Sequence, residues 1–336
     1  MTLREQNKVS YVYFILSVLV ILIHSINNDT YFEKIFSIEN GIGQFAVPLF
    51  FFVSGFLFFR TANSLYDVKR KLKKRVYTLL VPYLLWNLIY YFARLLLTPG
   101  SGMSMLTLMD AAFNYTYNPA FWFMYQLILL NILSPVFFYI LKDKRYISLF
   151  YIAIILLIVF EKDMPYINED AIIYYFSGAI FSKLYNASKI KFISKKYAFY
   201  LIIISIGAYL INRYLYKLIF VNYDFRTIFT LSIVIVRLLV SLTIFYMIDL
   251  FFNYEKIYEF MNHTFFLYAI HYMIVKAMII VMRFISIRLL PADFLEAIEI
   301  LTFVMSPFVA IFINYHLTRF LNRRYRKAYI LLSGDR

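Results

Sequence analysis

The sequence is short of the residues that several common kinds of site require. It contains no cysteine, so disulfides and thiolate metal sites are excluded, although this absence does not identify a compartment. It has neither an HExxH motif nor a GxSxG elbow, which removes two familiar routes to metal-assisted or serine-based catalysis. With 8 Gly, 8 Pro, no internal repeat and no long polar stretch, we expect one domain that occupies residues 1–336.

Apolar residues dominate what is present. The chain is 62% hydrophobic and only 16% charged, and its mean hydropathy is +0.70, values typical of a polytopic membrane protein. The sequence therefore predicts an all-α, polytopic integral membrane protein with about ten transmembrane helices. The expected spans are residues 10–27, 42–60, 76–97, 119–141, 146–160, 168–183, 197–220, 227–252, 262–285 and 297–318.

Lysine and arginine alternate between the two sides of these spans. If both termini are cytoplasmic, the inside segments carry roughly three times as many Lys and Arg as the outside ones. We therefore expect cytoplasmic N- and C-termini and an uncleaved first span, because no small-residue cleavage site follows Arg4 and Lys8. The net charge of +15 then indicates topology and attraction to anionic membrane lipids, and calls for no nucleic-acid partner.

The run KRKLKKR between the second and third spans has two interpretations. It is a topology signal, or it is a cytoplasmic entrance that attracts a polyanionic cofactor. Under the second interpretation, five residues of the stretch are candidate cofactor ligands: Lys69, Arg70, Lys73, Lys74 and Arg75.

Four ionisable residues in the expected spans are not explained by topology: His24, His271, Arg237 and Lys276. No Asp or Glu is expected at the depth of the two cations, since Asp249 is about 18 Å from Arg237 along the helix. An anionic ligand in a water-filled cavity would satisfy both cations, and the alternative is that both snorkel or bond to carbonyls.

His24 lies at the outer end of the first apolar run. An imidazole there is either a general base that takes a proton from an attacking hydroxyl, or a side chain that bonds a neighbouring helix. Because no serine elbow and no metal motif is present, one base that activates the acceptor directly fits better than covalent or metal-assisted catalysis.

Six stretches, in order, resemble the membrane-bound acyltransferase-3 family of bacteria. They are YFILSVLVILIHS (13–25), VPLFFFVSGFLFFR (47–60), KKRVYTLLVPYLLWN (73–87), FWFMYQLILLNILSPV (121–136), FSGAIFSK (176–183) and FFLYAIH (265–271). The resemblance implies a membrane-bound O-acyltransferase, multi-pass in the bacterial inner membrane. It would move an acyl group, commonly acetyl, from acetyl-CoA or another acyl-CoA to a hydroxyl of a surface or secreted glycan.

The resemblance also implies residue roles. His24 would be the catalytic base, and the basic run would hold the coenzyme A phosphates. We add Arg237 and Lys276 as cofactor ligands on the burial argument alone. Five residues are candidates for substrate binding: Tyr13, Ser54, Trp122, Gln126 and His271. For Ser54 the alternative is helix packing, and for Trp122 it is anchoring at the membrane interface. No metal is expected.

Two positions depart from the family. Tyr13 stands where members usually have arginine, eleven residues before the histidine, and Tyr125-Gln126 stands where an Arg-Asp pair is common. Tyrosine keeps a hydroxyl but cannot grip a phosphate or carbonyl as a guanidinium does. Either another cation, Arg237 or Lys276, replaces the missing arginine, or activity is altered or lost. The alternative functions are a glycan or lipid-precursor transporter and a degenerate scaffold. Further expected partners are a second copy of the chain or glycan-assembly proteins.

Overall fold

The computed structural model describes residues 1–26, 42–98, 104–160, 166–219, 226–289, 291 and 295–335. The regular structure in these ranges is helical, and none of their residues is in a strand, so the prediction of an all-α fold is confirmed. The described part of each of the ten expected spans lies on a helix or on helices joined by a short break. Two of the basic residues expected on the outside, Lys34 and Lys162, lie outside the described residues.

The α-helices are numbered α1 to α14 in chain order. They are Leu3–Ser25, Ala46–Phe59, Leu65–Arg75, Val81–Leu97, Met105–Phe113, Trp122–Ile132, Ser134–Ile140, Lys144–Val159, Glu169–Asn186, Lys195–Ile219, Arg226–Phe251, Thr264–Leu289, Leu295–Arg324 and Arg326–Ser333. Short 3₁₀ turns cover Ile42–Phe45, Pro119–Phe121 and Glu259–Met261, and a π-helical turn, Val76–Leu80, joins α3 to α4.

Within the described ranges, 6 helical stretches are long and apolar enough to cross a membrane. They are Leu3–Ser25, Leu65–Leu97, Lys195–Leu218, Thr227–Phe251, Thr264–Arg288 and Glu296–Arg324. A bent pair, Pro119–Ile132 with Ser134–Ile140, would make a seventh. The chain thus has the helices of a multi-pass membrane protein, whereas the count of ten and the orientation of both termini stay predictions.

The bent pair lies in the expected span 119–141, which the apolar pattern predicted as one continuous helix and which is broken in the structure. Its two helices, α6 and α7, meet at 56° around Leu133. Pro135 is the second residue of α7. Because proline lacks an N–H and its ring clashes with the carbonyl four residues earlier, a straight helix cannot pass through this point.

The described chain divides into two compact units. Unit 1 comprises Met1–Val12, Gln44–Leu72 and Leu129–Lys256, and unit 2 comprises Tyr13–Gly43, Lys73–Ile128 and Ile257–Arg336. Helices α1, α3 and α6 each contribute residues to both units. The expectation of a single domain stays a prediction.

In unit 1, two glycines allow the backbones of α2 and α9 to lie in direct contact. A Cβ on Gly55 would overlap the carbonyl oxygen of Tyr175, and a Cβ on Gly178 would overlap the carbonyl oxygen of Phe52. Membrane helices commonly use small residues in this way, since close backbone approach maximises van der Waals contact. The two glycines therefore fix the packing of this helix pair.

Unit 1 also encloses an ion pair between the first helix and the end of α11. Nζ of Lys8 lies 2.9 Å from Oδ1 of Asp249, and both side chains are 0% exposed. Lys8 also donates to the carbonyl of Phe192, and the backbone N–H of Ser194 and the hydroxyl of Tyr254 donate to Asp249. Both charges are thus hydrogen-bonded as well as paired, which is what a buried pair requires.

Aromatic rings complete the environment of the Lys8 ammonium. Its Nζ lies 3.8 Å from the ring centroid of Phe245 and 4.6 Å from that of Tyr246. Burial, followed by the Asp249 carboxylate, raises the pKa of the Tyr254 phenol far above its usual range, so this hydroxyl remains a donor. From the sequence, Lys8 belongs to the basic residues expected on the cytoplasmic side. In the structure its side chain is fully buried.

In unit 2 the last helix packs against α4. The indole N–H of Trp86 donates to the carbonyl of Leu332 at 2.9 Å, near the end of α14. Gly334, which follows α14, has a φ of +64°, and a Cβ there would overlap the carbonyl oxygen of Thr78. Glycine suits this position because it adopts the left-handed conformation without steric cost.

A histidine at the start of α12 makes a second connection to α14. Nδ1 of His263 and the hydroxyl of Tyr329 are 2.6 Å apart. Desolvation by burial lowers the pKa of His263, and the Glu259 carboxylate opposes this shift. The lowered pKa of His263 favours the neutral form of its ring at neutral pH.

Candidate active site

His24 occupies the last turn of α1 and faces a second histidine. The ring centroids of His24 and His271, on α12, are 5.3 Å apart, with the ring planes inclined at 41°. The ring of Tyr272 stands almost perpendicular to His24 at 5.3 Å. Two residues that the sequence analysis selected separately, on distant segments of the chain, are thus brought together within unit 2.

His271 is held by the backbone of its own helix. The side chain is 0% exposed, and its Nδ1 lies 2.5 Å from the carbonyl oxygen of Tyr268. Its Nε2 is buried and has no hydrogen-bond partner among the described residues. An unsatisfied buried ring nitrogen is costly and calls for an explanation.

Aromatic side chains anchor the segment of α12 that carries His271. The hydroxyl of Tyr90 donates to the carbonyl of Ala269 at 3.0 Å and accepts from the N–H of Met273 at 3.1 Å. The hydroxyl of Tyr268 donates to the carbonyl of Ala120. These bonds attach α12 to α4 and to the turn before α6, so the support around His271 is rigid.

The same turn presents a stacked ring beside this support. Phe121 stacks on Tyr268 at a centroid distance of 5.9 Å and an interplanar angle of 9°. Asn118, in this turn, is fully buried, and neither atom of its amide group has a hydrogen-bond partner among the described residues. Tyr90, Tyr268 and Asn118 were not among the candidate site residues. Nothing in the sequence distinguishes them from the other residues among the 32 tyrosines and the many other polar residues of the chain.

Lys276 and His24 both contact the ring of Tyr272. Nζ of Lys276 lies 5.4 Å from the centroid of Tyr272, the ring that also stands against His24. The Lys276 side chain is exposed on the surface of the isolated chain. Of the two cations expected to hold an anionic ligand, this one lies in unit 2 with the histidine.

For Arg237, the other cation that was expected to hold an anionic ligand, the structure shows a carboxylate partner instead. Its Nη1 lies 3.1 Å from Oδ2 of Asp170, in the first turn of α9, and both side chains are 26% exposed. The premise that no carboxylate reaches the depth of Arg237 is therefore wrong. It considered only Asp249 on the same helix, whereas the partner comes from another helix that packs in unit 1.

Three further candidates for substrate binding lie in unit 2. Tyr13 and Trp122 are half-buried, and Gln126 is buried. Tyr13 and His24 are on one helix, and eleven residues at the α-helical rise separate them by about 16 Å. Trp122 begins α6, directly after the turn that contains Phe121.

Ser54 lies in unit 1. It is 8% exposed and precedes Gly55 in the close contact of α2 with α9. This position supports the packing alternative for Ser54.

The basic run forms most of α3 and faces outward. Lys69, Arg70, Lys73 and Lys74 are exposed and Arg75 is half-buried. Arg70 pairs with Asp67 at 3.1 Å, and Lys71 donates to the carbonyl of Phe58. The run therefore presents several cations at one end of the continuous helical stretch Leu65–Leu97.

A metal site requires several ligating side chains close together. Among the described residues, no group of three or more His, Cys, Asp or Glu side chains could hold a metal ion. The facing imidazoles of His24 and His271 are two nitrogen ligands, one short of the usual minimum for a catalytic zinc site.

The chain matches a known protein family over most of its length. A family model described as an acyltransferase domain, of the acyltransferase-3 type, matches residues 9–319. No curated protein and no solved structure matches the chain. The matched range includes His24, His271 and the whole basic run.

Proposed function

The chain belongs to the acyltransferase-3 family, and from this premise we propose that it transfers an acyl group from acyl-coenzyme A to a glycan hydroxyl. The acyl group in the simplest case is acetyl, and the acceptor is a surface or secreted glycan. The observation that carries the proposal is the position of His24, whose ring faces a second imidazole and has no hydrogen-bond partner among the described residues.

The proposed reaction uses His24 as a general base. Its imidazole takes the proton of the acceptor hydroxyl while the hydroxyl oxygen attacks the thioester carbonyl carbon. The tetrahedral intermediate collapses with cleavage of the carbon–sulfur bond. The leaving thiolate then receives the proton from His24, which yields the ester and free coenzyme A and restores the base.

Donor binding is assigned to cations. Five cations of the basic run attract the phosphates of coenzyme A: the exposed Lys69, Arg70, Lys73 and Lys74 and the half-buried Arg75. Lys276, which shares Tyr272 with His24, is proposed to interact with the anionic donor nearer the chemistry. Arg237 is left out of this set, because Asp170 already neutralises it.

Acceptor binding is assigned to the residues around the turn before α6. Trp122 offers a flat apolar face for a sugar ring, with Gln126 one turn further along the same helix. Tyr13 is proposed to contribute its hydroxyl, on the face of α1 that also carries His24. His271 is proposed to act beside His24, and Ser54 is retained only as a packing residue.

The proposed setting is the inner membrane of a bacterium, crossed several times by the chain. Membrane lipids surround the apolar helices, and the proposed protein partners are a second copy or other glycan-assembly proteins. No bound metal enters the proposed reaction.

Two observations favour other functions. The break between α6 and α7 resembles the discontinuous helices of transporters, and Tyr13 in place of arginine favours a scaffold without chemistry. The three functions differ in their dependence on His24, since only the acyltransferase needs an unoccupied imidazole as a base.

The donor half of the proposal can be tested by binding. Purified protein in nanodiscs is titrated calorimetrically with acetyl-coenzyme A, and compared with a variant in which Lys69, Arg70, Lys73, Lys74 and Arg75 are all glutamine. The matched control replaces five exposed lysines of equal total charge: Lys183, Lys189, Lys191, Lys195 and Lys196.

We expect the first variant to bind at least about tenfold more weakly, a difference of about 1.4 kcal/mol, and the control to bind like wild type. Equal weakening in both variants would show only a general charge effect. Absence of binding by the wild type would contradict the donor assignment.

A further inference from the structure

The hydrogen bond behind His271 determines which of its nitrogens carries a proton. Its Nδ1 lies 2.5 Å from the Tyr268 carbonyl oxygen. A carbonyl oxygen only accepts hydrogen bonds, so Nδ1 must be the protonated nitrogen. In the neutral ring, Nε2 is then a hydrogen-bond acceptor.

This acceptor has nothing to accept from in the structure. Nε2 is buried and has no partner among the described residues, although the ring itself is completely enclosed. An unsatisfied buried acceptor lowers stability, because the nitrogen loses its hydrogen bonds to water and gains none in the protein. A hydrogen-bond donor to Nε2 would therefore stabilise His271 in this tautomer.

The His24 ring is close enough to His271 to supply that donor. Its ring centroid is 5.3 Å from that of His271. A separation of about 5 Å between ring centres is what an N–H···N hydrogen bond of ordinary length between two imidazoles requires. Nε2 has no partner among the described residues as the two rings stand, so one of the rings must turn to form the bond.

The ring that rotates is His24. His271 is clamped by the Tyr268 carbonyl and by full burial, and the neighbouring backbone is held by Tyr90. His24 is half-buried and has no hydrogen bond that would hold its ring.

We propose that His271 is a positioning residue: its Nε2 accepts a hydrogen bond from one ring nitrogen of His24, which fixes the tautomer of His24 and leaves its other nitrogen unprotonated to act as the base. The inference rests on the proposed function, in which His24 is that base. When His24 takes the proton of the acceptor hydroxyl, the same bond stabilises the charge that it gains. Such base-and-orienter pairs are the general pattern of activated catalytic residues.

Two substitutions separate this role from simple packing. His271→Asn places an amide N–H where Nδ1 was, so the bond to the Tyr268 carbonyl is kept while the acceptor at Nε2 is lost. His271→Gln places an amide oxygen near the position of Nε2 and so retains an acceptor. His316→Asn, at an exposed position on α13, is the matched control.

The first readout is nitrogen-15 NMR of imidazole-labelled protein in nanodiscs. The chain has 4 histidines, so the signals can be assigned by substitution. We expect His24 to be in one tautomer in wild type and in His271→Gln, and in a mixture of tautomers in His271→Asn. An unchanged His24 signal in His271→Asn would overturn the proposal.

The second readout is the ester content of surface glycans in a deletion strain complemented with each variant. We expect His271→Asn to restore esters at a rate at least about tenfold below wild type, and His271→Gln and His316→Asn to restore substantially more. Equal loss in the Asn and Gln variants would assign His271 to packing alone. If wild type restores no esters, the proposed function fails, while the NMR experiment still decides on the histidine pair.

Discussion

The ammonium of Lys8 lies 2.9 Å from the carboxylate of Asp249, and both side chains are completely enclosed in unit 1. The first turns of α1 are thereby attached to the end of α11 by a bond that water does not reach. His24 is on the same helix, so this attachment holds one end of the helix that carries the proposed base.

Lys8→Met should destabilise the protein strongly, because it leaves Asp249 as a buried charge without its counterion. We expect a loss of about 3–5 kcal/mol, measured as a fall in the apparent melting temperature of detergent-purified protein. Adding Asp249→Asn to Lys8→Met should restore much of the stability. Lys144→Met removes an exposed lysine and should change stability by less than about 0.5 kcal/mol. Equal melting temperatures for Lys8→Met and Lys144→Met would contradict the structure at this point.

Gly55→Ala and Gly178→Ala should each prevent the close contact of α2 with α9. The added Cβ overlaps a backbone carbonyl oxygen in both cases, and backbone cannot move aside as a flexible side chain can. We expect a large loss of folded protein, measured by fluorescence-detected size-exclusion chromatography.

Gly207→Ala is the control for this pair. A Cβ at Gly207, in the interior of α10, meets nothing within 4 Å. Alanine favours a helix over glycine by about 1 kcal/mol, so this variant should be as stable as wild type or more stable. If Gly55→Ala were as well folded as Gly207→Ala, the packing of α2 on α9 would be wrong.

Arg237→Gln should leave acetyl-coenzyme A binding unchanged, because Asp170 already balances the arginine. Arg237→Gln alone should lower the melting temperature, since it leaves a partly buried carboxylate unpaired, at a cost of about 1–3 kcal/mol. Asp170→Asn in the same chain should recover part of the loss. A fall in acetyl-coenzyme A affinity for Arg237→Gln, seen by calorimetry, would return this residue to the donor site.

Stability should depend on pH through His263. Burial lowers the pKa of His263 below its usual 6.5, so the unfolded chain binds a proton at a higher pH than the folded chain does. The contribution of this group is therefore most favourable above pH 6.5 and is lost progressively as the pH falls towards the folded pKa.

Melting temperatures measured at about pH 7 and about pH 5 test this dependence. The fall between the two should be smaller in His263→Gln than in wild type, and His316→Gln should fall as wild type does. An equal fall in wild type and His263→Gln would show that His263 does not take part.

The sequence predicted the helical class and the family, whereas the catalytic role of His24 stays a prediction. Apolar runs identify membrane helices directly, because the bilayer imposes their length and composition. The resemblance to the acyltransferase-3 family, stated on six short motifs, is confirmed by the match over residues 9–319.

The pairing of side chains across helices could not be predicted. Lys8 looks like any basic residue of a cytoplasmic terminus, and only the fold reveals that Asp249 meets it. Arg237 seemed to lack a carboxylate because one helix was considered alone. His24 and His271 were both selected, but their proximity depends on how α1 packs against α12, which no local pattern encodes.

The role of His24 is the central claim, and one measurement tests it most directly. NMR of surface glycans would compare the O-acyl ester content of a deletion strain complemented with wild type, His24→Ala or Tyr13→Arg. We expect wild type to restore esters and His24→Ala to restore them at least about a hundredfold more slowly, the usual contribution of a general base. A gain with Tyr13→Arg would show that tyrosine limits the rate. Esters restored equally by wild type and His24→Ala, with equal amounts of protein in the membrane, would contradict the account.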